Sequence, residues 1–318
     1  MSTLSLFGEP EPEMKGRLRG KLRELAEQGV FIGTSSWKYD GWLGQIYTQE
    51  RYRARGKFSQ RKFEQECLAE YAETFPIVCG DFSFYQFPAP EYWARLFQAA
   101  PSLAFGLKVP EEVTVKIWPS HDRYGPRAGQ ANPSYLKADV LEAMFLEPLA
   151  PFHERVGVLI FEFGAFGRKS YEHLDEFIRD LDRFLAELPA GWRYAVEVRN
   201  PALLGPEYFG CLRDHRIAHV FNAWAKMPEI GSQFAVPGSM TADFTVARAL
   251  LRAGRSYENA VKLFAPYTHI QDPNPQTRSA LRRLIREARM QNRRAFVFVN
   301  NRLEGNAPET IAAIIEEE

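Results

Sequence analysis

Apolar residues along this chain gather into short unbroken runs, and between the runs they recur every three or four positions. The runs are rich in Val, Ile and Phe and read as buried strands, whereas the wider spacing reads as amphipathic helix. VFIGTSS (30–36), PIVCGDFSFY (76–85), LAFGLKVP (103–110), GVLIFEF (157–163), RYAVEVR (193–199), AHVFNAW (218–224), DFTVARAL (243–250) and RAFVFVNN (294–301) predict eight strands. Helical spacing predicts helices near 61–75, 90–100, 139–153, 172–187, 206–214 and 276–291, with a last one over 307–317. In the first of these, Phe63, Cys67 and Tyr71 share one face. Another helix, over 14–28, carries Leu18, Leu22 and Leu25 on one side, and residues 1–13 read as a tail.

Strands that alternate with helices imply a parallel sheet, and runs such as GVLIF and AFVFV suit strands covered on both faces. Eight such units predict an α/β fold closed as a TIM (β/α)8 barrel, a single domain over 30–318 with an N-terminal tail and helix over 1–29. An open doubly wound sheet is the alternative, and it is disfavoured because no G-x-G-x-x-G follows the first strand.

In a barrel of this type, chemistry sits at the carboxyl ends of the strands. Those ends hold Ser35 with Trp37 and Tyr39; Asp81 and Tyr85; Lys108; Glu162; Glu197 with Arg199; Asn222 with Trp224; Arg248; and Asn300 with Asn301. A lone Glu inside FEF or VEV cannot be buried as a charge without partners. Two readings follow. Lys108, Glu162, Glu197, Arg199 and Arg248 form a mutually neutralising network closing the barrel top, or they line a polar pocket that acts on a substrate. In the second reading Glu197 is the leading acid or base, Glu162 is its partner or a metal ligand, and Lys108, Arg199 and Arg248 stabilise developing negative charge. Trp37, Tyr39, Tyr85 and Trp224 are then walls. Asn300 is expected to face the pocket, Asn301 to shape the following turn, and Asn306 to cap the last helix with Pro308 in its first turn.

Two connections add candidates. Residues 111–138 are long for a loop of this kind and interleave Lys116, His121, Arg123 and Arg127 with Trp118 and Tyr124, which suits a lid. Arg252, Gly254, Arg255 and Ser256 precede a helical pattern after the seventh strand, where barrels often hold phosphate; a capped, solvated basic turn explains them equally well.

Composition narrows the classes. The chain has 318 residues, 45% hydrophobic and 25% charged, with 40 basic residues against 40 acidic ones, so it lacks the global footprint of a nucleic-acid-binding domain. It has no apolar run of roughly 18 residues and no signal-like start, from which a cytoplasmic address and no membrane partner are expected. Cys67, Cys79 and Cys211 lack CxxC spacing and read as reduced thiols; the six histidines show no zinc-like pairing. No cofactor is required by the sequence, though a carboxylate-held divalent metal at Asp81, Glu162 or Glu197 stays open.

Taken together, IGTSSWKYDGWLGQIY, DFSFYQFPAPEYWARL, FGLKVPEEVT, YAVEVRNPALL and FVFVNNRLEGNAPETI resemble the YecE-like family, from about residue 30 to 316. The resemblance implies a single-domain TIM barrel with a shared polar pocket, and it brings no established reaction. It maps Gly33, Thr34, Ser35, Ser36, Trp37 and Tyr39 onto the family's opening motif, with Ser36 replacing a glycine. Lys108 falls on its strand-three lysine, Glu197 and Arg199 on its E-x-R, and Asn300 and Asn301 on its F-N-N. Cys79, Asp81 and Gln86 stand where the family has Glu, Asn and Arg, and Glu162 where it commonly has Gln, which implies a rearranged pocket in a divergent branch. The expectation is an enzyme that acts on a small anionic, phosphorylated or sugar-like substrate by acid–base chemistry, a hydrolase or lyase. A nucleic-acid-binding protein using 116–127, and a non-catalytic sensor, are the alternatives.

Overall fold

The computed structural model describes residues 11–316, so the reading of residues 1–10 as a tail lies outside the described residues. Eight strands, β1 (Val30–Thr34), β2 (Ile77–Gly80), β3 (Ala104–Lys108), β4 (Val156–Phe163), β5 (Tyr194–Val198), β6 (Ala218–Ala223), β7 (Phe244–Ala249) and β8 (Arg294–Val299), form a closed barrel in sequential order. Every pairing in it is parallel, and β8 closes on β1 with Val30 opposite Ala295 and Thr34 opposite Val299. Closure removes both sheet edges and with them the doubly wound alternative.

The unbroken apolar runs follow from this geometry. Successive side chains on a strand point to opposite faces, and here both faces are buried. Ile77, Cys79, Val158, Ile160, Ala195, Val220, Val246, Phe296 and Phe298 fill the interior, while Leu159, Phe161, Val196 and Val297 belong to the larger core under the helices. Glycines make room for the inner rings: a Cβ on Gly106 would lie 2.5 Å from Phe298 Cζ. Continuing each inward column by two residues reaches a polar side chain on all eight strands: Ser35, Asp81, Lys108, Glu162, Glu197, Asn222, Arg248 and Asn300. The period of two therefore stacks apolar layers below and one polar layer at the carboxyl end.

Departures from the expected elements have local causes. The second strand ends at Gly80 rather than near 85, because Phe84 N–H bonds back to Asp81 O and the Phe82 ring folds over Gly80, where a Cβ would sit 1.9 Å from Phe82 Cε1. The helix expected at 139–153 is a composite of Ala138–Leu141, a π turn over Glu142–Leu146, Glu147–Leu149 and a 3-10 stretch over Ala150–Arg155. Pro148 lacks the N–H that would continue the α ladder there. A small hairpin, Arg53–Ala54 with Lys57–Phe58, and a short helix, Ile230–Phe234, had no clear signature in the pattern.

The N-terminal helix, Glu13–Glu27, packs on β1 and on the helix Gln60–Thr74. It buries Leu18, Leu22 and Leu25, and Lys15 reaches Glu70 at 3.0 Å and Glu73 at 2.6 Å. Glu70 also accepts from Thr48 and Tyr52, so the buried carboxylate is fully engaged. Among the described residues no helix is long and apolar enough to cross a membrane.

Candidate functional site at the barrel mouth

Three carboxylates and three cations at the carboxyl end of the barrel form one network. Lys108 Nζ lies 3.2 Å from both Asp81 Oδ1 and Glu162 Oε2. Arg199 pairs with Glu197 at 2.6 Å and Glu162 at 3.1 Å, and Arg248 pairs with Glu162 at 2.5 Å and also with Glu197. Aromatic faces cover two of the cations: Lys108 stands 3.6 Å from the Phe84 ring centre and Arg199 3.9 Å from that of Trp224. Glu197 has no exposed surface, Arg248 is 2% exposed, and Asp81 at the other end is open to solvent.

The charges balance, and that sets their chemistry. Burial opposes ionisation of Glu162, yet Lys108, Arg199 and Arg248 outweigh it and hold the carboxyl well below the usual range. Burial likewise works against the Lys108 ammonium, which Glu162 and Asp81 raise above its ordinary value. A carboxylate held so firmly ionised is a weak proton acceptor near neutral pH. Cys79 lies below the network inside the barrel, its thiol pushed up to about 12 by burial.

Beside the network, over the ends of β1, β2 and β8, opens a cleft of about 390 Å³. Ser35, Trp37 and Tyr39 line it from the β1 end, Asp81 and Tyr85 from the β2 end, and Asn300 from the β8 end, as the sequence suggested. Asp81 belongs to both parts, lining the cleft while pairing with Lys108. Asn300 Oδ1 accepts from Arg302 N at 3.0 Å, which leaves its amide NH2 to the cleft. Asn301 instead bonds Ala307 N at 2.7 Å and Trp42 Nε1 at 3.3 Å, and so shapes the turn. Asn306 caps the helix Ala307–Ile315 through Glu309 N, with Pro308 in its first turn.

Other candidates fall elsewhere. Arg255 does not join the network: it and Arg252 pair with Asp272 at 2.5 and 2.6 Å, and Ser256 caps the helix Tyr257–Phe264. Asn222 is fully buried and bonds Val198 O at 3.2 Å, with Gln233 on its backbone. In the long connection, Trp118 and Tyr124 are buried, Arg123 pairs with Glu111, Arg127 with Glu112, and Lys116 lies 3.4 Å from the Tyr171 ring centre. Those aromatics are committed to their own loop, which leaves them poorly placed to stack on bases. Arg123 does reach the cleft rim, 4.4 Å from the ring centre of exposed Tyr85.

Sequence reasoning missed Lys38, Tyr92, Tyr257 and Arg302, all of which line the cleft; Ser36, which it placed in the family's opening motif, lines it too. For Arg302 a signal existed: it follows β8 by three residues, in the same strand-end loop that pointed to Asn300. Asp81, Glu162 and Glu197, left open as metal ligands, are separated by the cations they neutralise, and among the described residues no group of three or more His, Cys, Asp or Glu is arranged to hold a metal.

The family of proteins of unknown function DUF72 matches residues 31–317. A DUF72 family protein from Enterococcus faecalis has a similar solved structure, with a TM-score of 0.60 and 20% identity over 91% of this chain and 94% of that one. One from Thermotoga maritima gives a TM-score of 0.58 and 19% identity over 91% and 98%. At these identities the likeness concerns the fold. No curated protein matches the sequence. Family match, barrel and the motifs at the strand ends agree, and the chain is a member of the DUF72, or YecE-like, family.

Proposed function

We propose that this protein is an enzyme that acts on a small anionic, phosphorylated or sugar-like molecule bound in the cleft, by acid–base chemistry at the boundary between cleft and charge network. The carrying observation is Asp81, a carboxylate that lines the cleft and sits 3.2 Å from the Lys108 ammonium. In this reading a substrate hydroxyl gives its proton to Asp81, and the electron pair left on the substrate oxygen faces Lys108, with the Arg248 guanidinium, 3.8 Å from Asp81 Oδ1, adding to the positive field. Preorganised positive charge of this kind, in a site partly shielded from water, is often the largest catalytic contribution.

The roles shift from those the sequence suggested. Glu197 is enclosed by Arg199 and Arg248, which suits orienting those guanidiniums rather than touching substrate. Glu162 is the shared counter-ion of all three cations and too firmly ionised to be the base. Trp37, Tyr39 and Tyr85 form walls against which a sugar or planar ring packs.

The test is a panel of sugar phosphates and nitrophenyl phosphates and glycosides, followed by NMR for substrate loss, on the wild type and Asp81→Asn. Turnover that falls about 10²–10⁴-fold in the variant supports the role of Asp81. Wild-type inactivity across the panel, or equal turnover by the variant, sinks the proposal.

A further inference from the structure

We infer that the seam between β8 and β1 is an anion cradle that holds the phosphate of a phosphorylated, hydroxyl-bearing small molecule as a non-reacting handle, with Arg302, Lys38 and Asn300 as its principal contacts. This rests on the cleft being the substrate site, and it adds which part of the substrate goes where.

The polar groups on this side of the cleft can all donate, and several have no acceptor. Asn300 turns its oxygen to Arg302 N, which aims its amide NH2, a donor only, at the cleft. Trp37 Nε1 can only donate and has no partner in the protein, and Ser35 Oγ is also unpartnered; both residues are more than nine-tenths buried at the cleft. Arg302 Nε is buried without a partner, and its guanidinium lies 4.5 Å from the Tyr257 ring centre. Among the described residues neither Arg302 nor Lys38 has a carboxylate within ion-pair distance, in contrast to Lys108, Arg199 and Arg248. A buried donor left without an acceptor is costly, so an acceptor-rich group belongs here.

Phosphate fits this set better than carboxylate. A phosphate monoester offers three terminal oxygens and close to two negative charges, which match several donors and two uncompensated cations. A carboxylate has two oxygens and one charge. The position also argues for a handle: a dianion placed next to Asp81 would be repelled, whereas at the β8–β1 seam it leaves Asp81 and Lys108 to the hydroxyl-bearing body of the molecule. Tyr39, Tyr92 and Tyr257 wall the space between.

Isothermal titration calorimetry with inorganic phosphate, glucose 6-phosphate and glucose tests the assignment on the full chain, for the wild type, Arg302→Met, Lys38→Ala and Asp81→Asn. The expected result is binding of phosphate and glucose 6-phosphate but not glucose, weakened at least tenfold by Arg302→Met and severalfold by Lys38→Ala. Because Lys38 is exposed, its variant leaves folding untouched. Asp81→Asn keeps or strengthens phosphate binding. No binding of either phosphate compound by the wild type, or equal binding by the Arg302 and Lys38 variants, overturns the cradle. Binding with that variant pattern, together with no turnover in the substrate panel, leaves the cradle standing and removes only the enzymatic reading.

Discussion

Arg248→Met tests whether the mouth of the barrel is held by mutual neutralisation. Arg248 is 2% exposed and is the cation shared by Glu197, which has no exposed surface, and Glu162. Met fills much of the same volume, so the change removes charge more than packing. Breaking a buried ion pair from one side costs about 3–5 kcal/mol, since a charge is left uncompensated. Here each carboxylate retains a second cation, Glu197 at 2.6 Å from Arg199, and Glu162 at 3.1 Å from Arg199 and 3.2 Å from Lys108. The loss therefore belongs at the lower end, about 3 kcal/mol, or a fall in Tm of roughly 4–5 °C for a chain of 318 residues. The assay is urea unfolding followed by tryptophan fluorescence. A second substitution gives the reasoning its sharpest check. In the wild type Glu197→Gln removes a needed counter-charge and destabilises; in Arg248→Met it removes the excess carboxylate and restores about 1 kcal/mol or more, a coupling within the range for residues in contact. If Glu197→Gln destabilises both backgrounds equally, the two residues are not coupled and the account of the network is wrong.

Three further outcomes are expected. The folded Glu162 carboxyl titrates below its unfolded value of about 4.3, so it contributes stability that is complete above that pH and is lost as pH falls through the folded value; Glu162→Gln should flatten this acid limb, seen as urea midpoints at pH 7, 4 and 3. Gly106→Ala places a methyl against the Phe298 ring and should cost about 1–3 kcal/mol, whereas Gly205→Ala, with open space around it, should change the melting temperature little. Burial pushes the thiols of Cys67, Cys79 and Cys211 up to about 12, so native protein at pH 8 should resist a thiol-reactive dye that titrates three groups after unfolding; rapid labelling of the native chain would contradict that burial.

The eight strands were legible because each is apolar on both faces, and burial on both faces leaves no polar interruption until the strand leaves the barrel. Lys108, Glu162, Glu197 and Arg248 were legible for the converse reason: a charge inside such a run needs partners, and the period of two aims all four at the same end of the same interior. Strand ends were less legible. Asp81 and Tyr85 looked continuous with β2, but Phe82 folding over Gly80 turns the chain before it reaches them.

What the sequence determined by itself was thus the barrel, its polar layer and the need for that layer to be paired. The pairing itself was decided by tertiary structure, because distances between strand ends depend on closure: only the closed barrel brings Arg248 on β7 against Glu162 on β4 and Glu197 on β5. Loop partners were hidden for a similar reason. Arg255 and Arg302 are both arginines in strand-end loops, yet Asp272 neutralises the first while the second lines the cleft and, among the described residues, has no carboxylate within ion-pair distance. A loop residue's local sequence carries no record of which distant loop it meets, and here that meeting separates an arginine held in an ion pair from one left at the cleft without a counter-charge.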